Sequence, residues 1–527
     1  MKIGILELMS AGATHRLDHS TYNYLVTKQY ASIMPQAVSV WCRELGHEVH
    51  YATYFGNHDP KDLLPKNLDL VFISTYTQAS ALAYALAKLF RKEKTLTVIG
   101  GPHAKQFPED CLRFFDVVVG DCDKTLIGEI LKDKPRGQIV SSGRSLKNIP
   151  GVEERLPEIR KSTLIRDRAF VFSTIPMITS TGCPNSCDFC IDWNNPYALL
   201  PLEQLEADMR FVYKHFSRSI VAFHDPNFAI QFEKVFDVLE KIPNRGHNTF
   251  GMETSMTTLK GPRLARMKKL GSFYIIPGIE NWAAYSNKVG AGAAVTSRDK
   301  LEKVIKQFNE IRPYVSGIQA NFIFGLDVDA GDEPVTLTQE FASRVPFVMP
   351  NFNIPVPFGN TPLYDKYASE NRLLKTMPFT FYYMPYLVFM LKNYEAAEFY
   401  QKLIELIAYV SSGKMLLARF KSAPALFPAG YNTVKTLGNR QMIGRLRTIL
   451  NLLKSDSQFR AFHAHQTEVL PQFYHRQYEQ LLGPYAELMS MDDRKPVLSE
   501  VKKPVPATRV LEPVTVSIPR KIKDLSS

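Results

Sequence analysis

Three cysteines fall within eight residues of this chain, in the loop Thr181-Gly182-Cys183-Pro184-Asn185-Ser186-Cys187-Asp188-Phe189-Cys190. A loop with thiols at Cys-x3-Cys-x2-Cys spacing keeps its sulfurs within reach of one another. The backbone on either side must deliver it as a unit. Thiolate is a soft ligand that favours iron–sulfur clusters, zinc or copper(I). Three thiolates on one short loop can hold three corners of a cubane cluster. A fourth cysteine would close a [4Fe–4S] site; with three, one iron stays open to a substrate or cofactor. Two plainer readings stand beside this one. The loop could be a zinc site finished by a distant histidine, or three unrelated core cysteines. Structural zinc sites usually show a second Cys or His pair at short range, and none follows here. Chance clustering is a poor account when the chain has six cysteines in 527 residues.

Ahead of the loop, apolar strand-like runs alternate with helical patterns. Residues 2–8, 48–54, 68–75, 95–99 and 117–119 read as strands. Residues 31–45, 79–92, 108–115 and 124–131 read as helices. This alternation predicts an α/β fold with a doubly wound parallel sheet. Ligands of such sheets sit outside the carboxyl ends of the strands. Three predicted strand ends are polar or glycine-rich. They are Ser74-Thr75-Tyr76-Thr77-Gln78, Gly100-Gly101-Pro102-His103 and Gly120-Asp121-Cys122-Asp123. The glycines would let a ligand approach the backbone closely, although a tight turn explains a lone Gly-Gly equally well. The polar segment 9–29 reads either as a lid over this edge or as a plain surface loop. Residues 135–168, with Pro150-Gly151 and many charges, read as a linker.

A second α/β series starts with the run 170–179, which leads into the cysteine loop. Strands are expected at 219–224, 249–254, 273–279, 317–324 and 353–356, and helices at 202–215, 232–241, 261–270 and 299–310. About six strand–helix units make a partial barrel. In parallel barrels the residues at the carboxyl ends of strands face the site. Asp225, Asn227, Glu253, Glu280, Asn321 and Asp327 hold such positions. Helix capping and turns explain Asp and Asn there equally well. Beyond 366, residues 392–409, 440–454 and 457–482 have helical spacing. The aromatic run 382–391 reads as packing over the barrel mouth or, the favoured reading, as ordinary core.

Apolar residues make up 45% of the chain, enough for a sizeable core. No apolar run reaches the roughly 18 residues of a membrane span. The opening Met1-Lys2-Ile3-Gly4-Ile5-Leu6 reads as a strand, not as a signal peptide. Six cysteines in a chain this long are no disulfide scaffold, and clustered thiolates suit a cytoplasmic, reducing compartment. The net charge is +12. Part of it lies in residues 494–527, with eight Lys/Arg, three Asp/Glu and five prolines, which read as a disordered tail. The body shows no stripe of bases interleaved with aromatics, so a nucleic-acid partner is not expected.

The cysteine loop, with Phe189 just before its third cysteine, resembles the signature of the radical SAM enzymes. Several other segments resemble the cobalamin-dependent class of that family. In the first region they are Val98-Ile99-Gly100-Gly101-Pro102-His103-Ala104, Pro108-Glu109 and Asp116-Val117-Val118-Val119-Gly120-Asp121. In the second they are His224-Asp225-Pro226-Asn227-Phe228, Gly278-Ile279-Glu280, Phe322-Ile323-Phe324-Gly325-Leu326 and Pro357-Phe358-Gly359-Asn360-Thr361-Pro362-Leu363-Tyr364. Gly120-Asp121 stands where that family usually has Gly-Glu. The Asp-x-His-x-x-Gly motif that supplies a lower axial histidine in some cobalamin proteins is absent, because Asp18 and His19 are adjacent and Ser20 follows. The resemblance covers roughly residues 1–365.

The resemblance implies a Rossmann-like cobalamin-binding domain over 1–135, a linker over 136–168 and a radical SAM partial (β/α)6 barrel over 169–370. A helical extension over 371–490 and a basic tail over 491–527 complete the expected organisation. Cys183, Cys187 and Cys190 would bind a [4Fe–4S] cluster, and Phe189, Asp225, Asn227, Glu280, Asn321 and Gly325 would face S-adenosylmethionine (SAM). Glu280 and Asp225 are the implied catalytic residues. Ser74, Thr75, Tyr76, Thr77, Gln78, Gly100, Gly101, Pro102, His103, Gly120 and Asp121 would meet cobalamin. The implied reaction is methyl transfer to an unactivated carbon of a small molecule, lipid or natural product, through a deoxyadenosyl radical and methylcobalamin. An electron donor such as flavodoxin or ferredoxin is implied as a partner. Radical cyclisation or rearrangement, RNA modification, and a non-catalytic metal- or cobalamin-binding role stand as alternatives.

Overall fold

The structure, a computed structural model, describes residues 1–13, 31–143, 146–165, 168–169, 173–283, 296–423 and 426–499, with 426–429 by backbone alone. Most of the segment expected as a lid, with Asp18, His19 and Ser20, lies outside the described residues, as do 500–527 of the expected tail.

The first region forms a six-stranded, wholly parallel sheet. Its strands are β1 (Lys2–Leu8), β2 (Glu48–Tyr54), β3 (Leu70–Thr75), β4 (Leu96–Gly100), β5 (Val117–Val119) and β6 (Gln138–Val140), in the order β2-β1-β3-β4-β5-β6. Its helices are α1 (Ile33–Glu44), α2 (Ser80–Lys92), the short α3 (Pro102–Gln106) and α4 (Pro108–Leu112), α5 (Lys124–Asp133) and α6 (Leu156–Ser162). Strands β1, β3 and β4 are buried on both faces, which is why they read as unbroken apolar runs rather than alternations. Ile3 pairs with Val49 on one side and Leu70 on the other. The chain leaves β1 first to one side and then to the other, so a crevice opens at the carboxyl ends of β1 and β3. The expected linker is more structured than its composition suggested. Its residues 138–140 complete the sheet, and α6 packs on β2 through Lys161, which donates to the Tyr51 carbonyl at 3.2 Å. A three-residue strand and a seven-residue helix are too short to leave a periodic signal in sequence.

The second sheet is also six-stranded and parallel, in the simple order β14-β13-β12-β11-β10-β7. Its strands are β7 (Thr174–Met177), β10 (Ile220–Phe223), β11 (Thr249–Thr254), β12 (Ser272–Glu280), β13 (Gly317–Ile323) and β14 (Val348–Asn353). The small ribbon β8 (Ser180–Thr181) and β9 (Ala198–Leu199) lies between β7 and β10 in sequence. The helices are α7 (Leu202–His215), α8 (Phe232–Leu239), α9 (Pro262–Leu270), α10 (Ser297–Ile311), α11 (Glu333–Arg344) and α12 (Pro362–Ser369). Along β10, β11 and β12 buried residues alternate with more exposed ones. The buried set, such as Phe250, Phe273 and Ile275, belongs to the core. The other set, such as Glu253, Ile276 and Gly278, faces the interior of the open barrel. The last strand lies upstream of its expected place at 353–356, and α11 was not anticipated. Pro350 sits inside β14, and proline argues against a strand unless the strand is an edge, which β14 is.

The remaining helices are α13 (Ala396–Val410), α14 (Gly413–Ser422), the 30-residue α15 (Leu426–Ser455), α16 (Ser457–His463) and α17 (Gln472–Leu482). Helix α15 starts earlier than the expected 440, although Gly430, Thr433, Val434, Thr436 and Gly438 are weak helix formers. Its first half is held from outside: the buried Arg419 of α14 donates to Thr436 Oγ1 at 3.1 Å, and Tyr274 of β12 donates to Asn432 Oδ1 at 3.1 Å. The expected helix over 457–482 is broken before Pro471. Residues 491–499 do not trail away as expected. Arg113 donates to the carbonyls of Asp492 and Lys495 at 2.8 and 2.7 Å, and Val497 N donates to the buried Asp110 at 2.8 Å. No described helix is long and apolar enough to cross a membrane.

The two sheets meet with their carboxyl ends toward each other. Phe107 stacks on Phe379 at 3.8 Å between centroids, and Thr380 Oγ1 donates to the Gln78 carbonyl at 2.7 Å. Asn360 Nδ2 donates to the Lys105 carbonyl at 3.0 Å. Beside it, a Cβ on Gly359 would fall 2.1 Å from the Gln106 carbonyl oxygen. Gly359→Ala is therefore expected to cost about 1–3 kcal/mol by overpacking this junction. Denaturant unfolding should show a lowered midpoint, and limited proteolysis should show faster cutting around 100–110.

Candidate functional site

A cavity of about 380 Å³ opens at the carboxyl ends of β11 to β14. The cysteine loop sits on its rim, carried out of β8 and back into β9, with Ser180 of β8 paired to Leu199 of β9. Gly182 holds the turn at φ +66°, where a Cβ would fall 2.2 Å from the Pro196 carbonyl oxygen. Cys183 N donates to the Asn195 carbonyl at 3.1 Å and Cys190 N to the Cys187 carbonyl at 3.0 Å. The loop is tied to the far end of the barrel by Leu363 N, which donates to the Asp188 carbonyl at 3.0 Å, and by Trp193 Nε1, which donates to the Asn360 carbonyl at 2.8 Å. Phe189 lines the cavity. Cys183, Cys187 and Cys190 are half-buried and, like the other three cysteines, form no disulfide. Among the described residues no three His, Cys, Asp or Glu side chains already surround one point as metal ligands do. Three thiols on one half-buried loop remain the donor set that suits a cluster with one open iron.

The strand-end residues divide into two groups. Asn227, Glu253, Glu280 and Asn321 line the cavity. Asn227 Oδ1 accepts from Ser255 N at 3.0 Å, while its buried Nδ2 has no partner among the described residues. Tyr382 also lines the cavity, while its buried hydroxyl, without a partner among the described residues, lies toward Tyr364 and Asp110, which are not part of the cavity wall. A buried polar group without a partner is costly, so Asn227 Nδ2 on the cavity wall marks where a ligand would bond. Glu280 stands at φ +67°, beyond a register shift between β12 and β13 at Gly278 and Glu280. A non-glycine residue in that region is strained, and such strain gathers at functional sites.

The second group does not reach the cavity wall. Asp225 is buried under the cysteine loop, accepting from Thr179 Oγ1 and Ser180 Oγ at 2.6 Å each and from Thr179 N at 3.0 Å. It pins the base of the cysteine loop to the end of β10. Gly325 meets the helical extension, for a Cβ there would fall 2.7 Å from Phe399. Asp327 is paired with Arg372 at 2.8 Å and Lys366 at 2.5 Å.

At the first sheet, Ser74, Gly100, Gly101 and Gly120 line an apolar slot of about 70 Å³ at the strand ends. Gly100 faces open space, and Gly101 packs on Thr75 at φ +92°. Tyr76 stands between the two regions: its hydroxyl lies 3.2 Å from Ser32 Oγ, and its pKa is raised by burial and by the charges of Glu7 and Glu253. Thr75 and Thr77 are buried, and Thr77 donates to Gln106 Oε1 at 3.2 Å. The Gln78 carbonyl is taken by Thr380. Pro102 opens α3, and Asp121 pairs with Lys105 at 3.0 Å. His103 departs from the expected ligand edge. It is fully buried inside α3, with Nε2 2.6 Å from the Tyr84 hydroxyl and its pKa pushed down to about 3 by burial. Helix α3 begins immediately after Gly101 and turns this side chain into the core.

Sequence reasoning missed two groups. Lys300 lies on the apolar stripe of α10 and is 2% exposed. It donates to the carbonyls of Asn281, Ala283 and Ile279 at 2.6, 3.1 and 3.4 Å, clamping the turn after Glu280. A lysine within a buried helical stripe was the available signal. The other group is Ile354, Pro355, Val356 and Phe358, which form a cavity wall together with Tyr382, Tyr383 and Met384 of the aromatic run. The aromatic run thus does both things considered for it, since Tyr386 to Leu391 is largely core.

No family model matches the chain. It is 26% identical over 372 residues to the bacteriochlorophyllide d C-8(2)-methyltransferase of Chlorobaculum tepidum, covering 67% of this chain and 79% of that one. It is 24% identical over 298 residues to the hopanoid C-2 methylase of Rhodopseudomonas palustris, covering 52% and 53%. The chain is similar to methyltransferases. The resemblance to the cobalamin-dependent radical SAM family read from its motifs is borne out. A solved radical SAM methyltransferase, TsrM from Kitasatospora setae with cobalamin and a [4Fe–4S] cluster bound, superposes with a TM-score of 0.49 at 13% identity, over 70% of this chain and 78% of that one.

Two outcomes are expected from the clamp. Lys300→Met takes the ammonium from the Asn281 and Ala283 carbonyls, while Asn281 N still donates to the Ile279 carbonyl, and should cost about 1–3 kcal/mol. Hydrogen exchange should quicken over 278–283. Asp329 accepts from Gly325 N and Leu326 N at 2.9 and 3.1 Å, and burial raises its pKa to about 6. A raised carboxyl pKa means the folded state holds the proton more tightly than the unfolded chain. Its contribution is therefore full below about pH 4 and lost as pH rises through about 6. Asp329→Asn should remove that part of the pH dependence of Tm.

Proposed function

We infer that this chain is a cobalamin-dependent radical SAM enzyme that transfers a methyl group to a carbon of a small-molecule or lipid substrate. The observation that carries the reading is the buried Asn227 Nδ2, which has no partner among the described residues, on the wall of a cavity whose rim is the three-cysteine loop. The carbon methyltransferases among its relatives support it.

Cys183, Cys187 and Cys190 would hold the cluster. Asn227, Glu253, Glu280 and Asn321 would hold SAM, with Asn227 Nδ2 donating toward it or the substrate. Phe189 would cover the rim. Asp225 is a positioning residue, since it acts through Thr179 and Ser180 on the base of the loop. The slot edged by Ser74, Gly100, Gly101 and Gly120, with Tyr76 above it, would take cobalamin. When bound, these groups supply the carbon-centred radical and the methyl donor that protein side chains lack. The chain's own part is to bind, orient and exclude water. Tyr382, Tyr383 and Met384, with Ile354, Pro355, Val356 and Phe358, form the wall that closes the cavity. A reductant protein such as flavodoxin or ferredoxin would deliver electrons to the cluster, and a reducing cytoplasm would suit the thiolates.

The test uses anaerobically purified, cluster-reconstituted protein supplied with hydroxocobalamin, SAM and a strong reductant. About four irons per chain, a bound-cobalamin spectrum and deoxyadenosine formation are the expected results. Cys187→Ala should lose the iron while retaining its far-UV circular dichroism. Full iron content in that variant, or zinc without iron in the wild type, would sink the assignment. Deoxyadenosine without cobalamin binding would keep the radical chemistry and remove the methyl-transfer route.

A further inference from the structure

Residues 406–455 contain eight Lys/Arg and no Asp or Glu. No composition-wide bias explains this, because the chain as a whole has 64 bases and 52 acids. The stretch includes all of α14 and α15. On α14 the exposed positions are 413, 414, 417, 420 and 421, one helical face. That solvent-facing stripe carries Leu417 and Phe420 at 55% and 53% exposure, with Lys414 and Lys421 beside them. On α15 the exposed face includes Val434 and Leu437 at 45% and 50%, followed by Arg440, Arg445 and Arg447. Four of the eleven exposed large apolar side chains among the described residues thus fall within 21 residues, all on the acid-free stretch.

Single exposed leucines are ordinary, but grouped ones ringed by cations need an occupant. The charge narrows the choice. A second copy of this face would bring like charges together. Nucleic acid would pair with the bases, yet Leu417, Val434 and Leu437 offer it nothing. An anionic lipid bilayer satisfies both sets: the apolar side chains enter the acyl boundary and the bases meet headgroup phosphates.

We propose that the outer faces of α14 and of α15 as far as Arg447 dock on an anionic membrane surface. The inner face of the same helix lines the barrel. Asn432 accepts from Tyr274, and the half-buried Lys435 donates to Gln319, whose Nε2 bonds Asn321 at 2.8 Å on the cavity wall. One helix therefore separates the docked face from the barrel interior, which suits a substrate that partitions into lipid.

The experiment is vesicle flotation of the full chain, which needs no cofactor and so stands or falls apart from the catalytic reading. Vesicles of phosphatidylcholine alone are compared with vesicles also containing phosphatidylglycerol. The wild type should float with the anionic vesicles, lose that partition as salt rises, and stay behind with phosphatidylcholine alone. Leu417→Glu/Phe420→Glu should weaken partition about tenfold or more, and Arg440→Glu/Arg447→Glu should weaken it on anionic vesicles. These positions are exposed, and circular dichroism would confirm that the variants fold. Equal flotation with both vesicle types, or variants that float like the wild type, would overturn the proposal. So would a concentration-dependent dimer abolished by Leu417→Glu/Phe420→Glu without any vesicle binding. Salt-sensitive RNA binding without flotation would overturn it as well.

Discussion

Parallel strands cannot be joined by a tight hairpin, and each crossover must return over a face of the sheet. In this chain the constraint acts twice. Each six-stranded parallel sheet delivers every strand-to-helix loop to one edge. The two edges are then set against each other through Phe107, Phe379, Thr380 and Asn360. The cysteine loop, Asn227, Glu280 and Tyr76 come from distant parts of the sequence. They share one region because parallel pairing leaves them no other side.

The barrel is open, and its interior shows the consequence. Closed parallel barrels fill their interior with layers of branched apolar side chains. Here the inward positions of β11 to β13 include Glu253, Tyr274, Gln319 and Asn321. Deep in the barrel these groups are satisfied by α15, through Asn432 and Lys435. Burying the Lys435 ammonium is unfavourable and lowers its pKa to about 8. Nearer the mouth the helix no longer reaches, and Asn227 Nδ2 is left without a partner among the described residues. The satisfied and unsatisfied zones divide the interior into a structural half and a binding half.

Around the cavity, precision is enforced by buried polar contacts rather than by the cavity wall itself. Asp225 fixes the base of the cysteine loop. Lys300 holds the carbonyls that follow the strained Glu280. Neither side chain lines the cavity. Each acts on a residue that does, or on the loop beside it, which is how a site on loops acquires the rigidity of its scaffold.

The sequence by itself determined the α/β alternation, the cysteine loop and most of the strand ends. These signals are local: a ligand spacing, an apolar run, a polar residue after a strand. It could say that Asn227, Glu280 and Asn321 end strands, but not that Asp225, Gly325 and Asp327 turn to structural partners. Only tertiary structure decided those, because orientation at a strand end depends on which neighbour offers a hydrogen bond or a packing surface. His103 shows it best. Its motif placed it at the ligand edge, while helix α3 starts one residue earlier and rotates it against Tyr84. Strand β14 and the first half of α15 were hidden for the same reason. Pro350 and the weak helix formers contradict their elements locally, and only an edge position and long-range contacts make them tolerable.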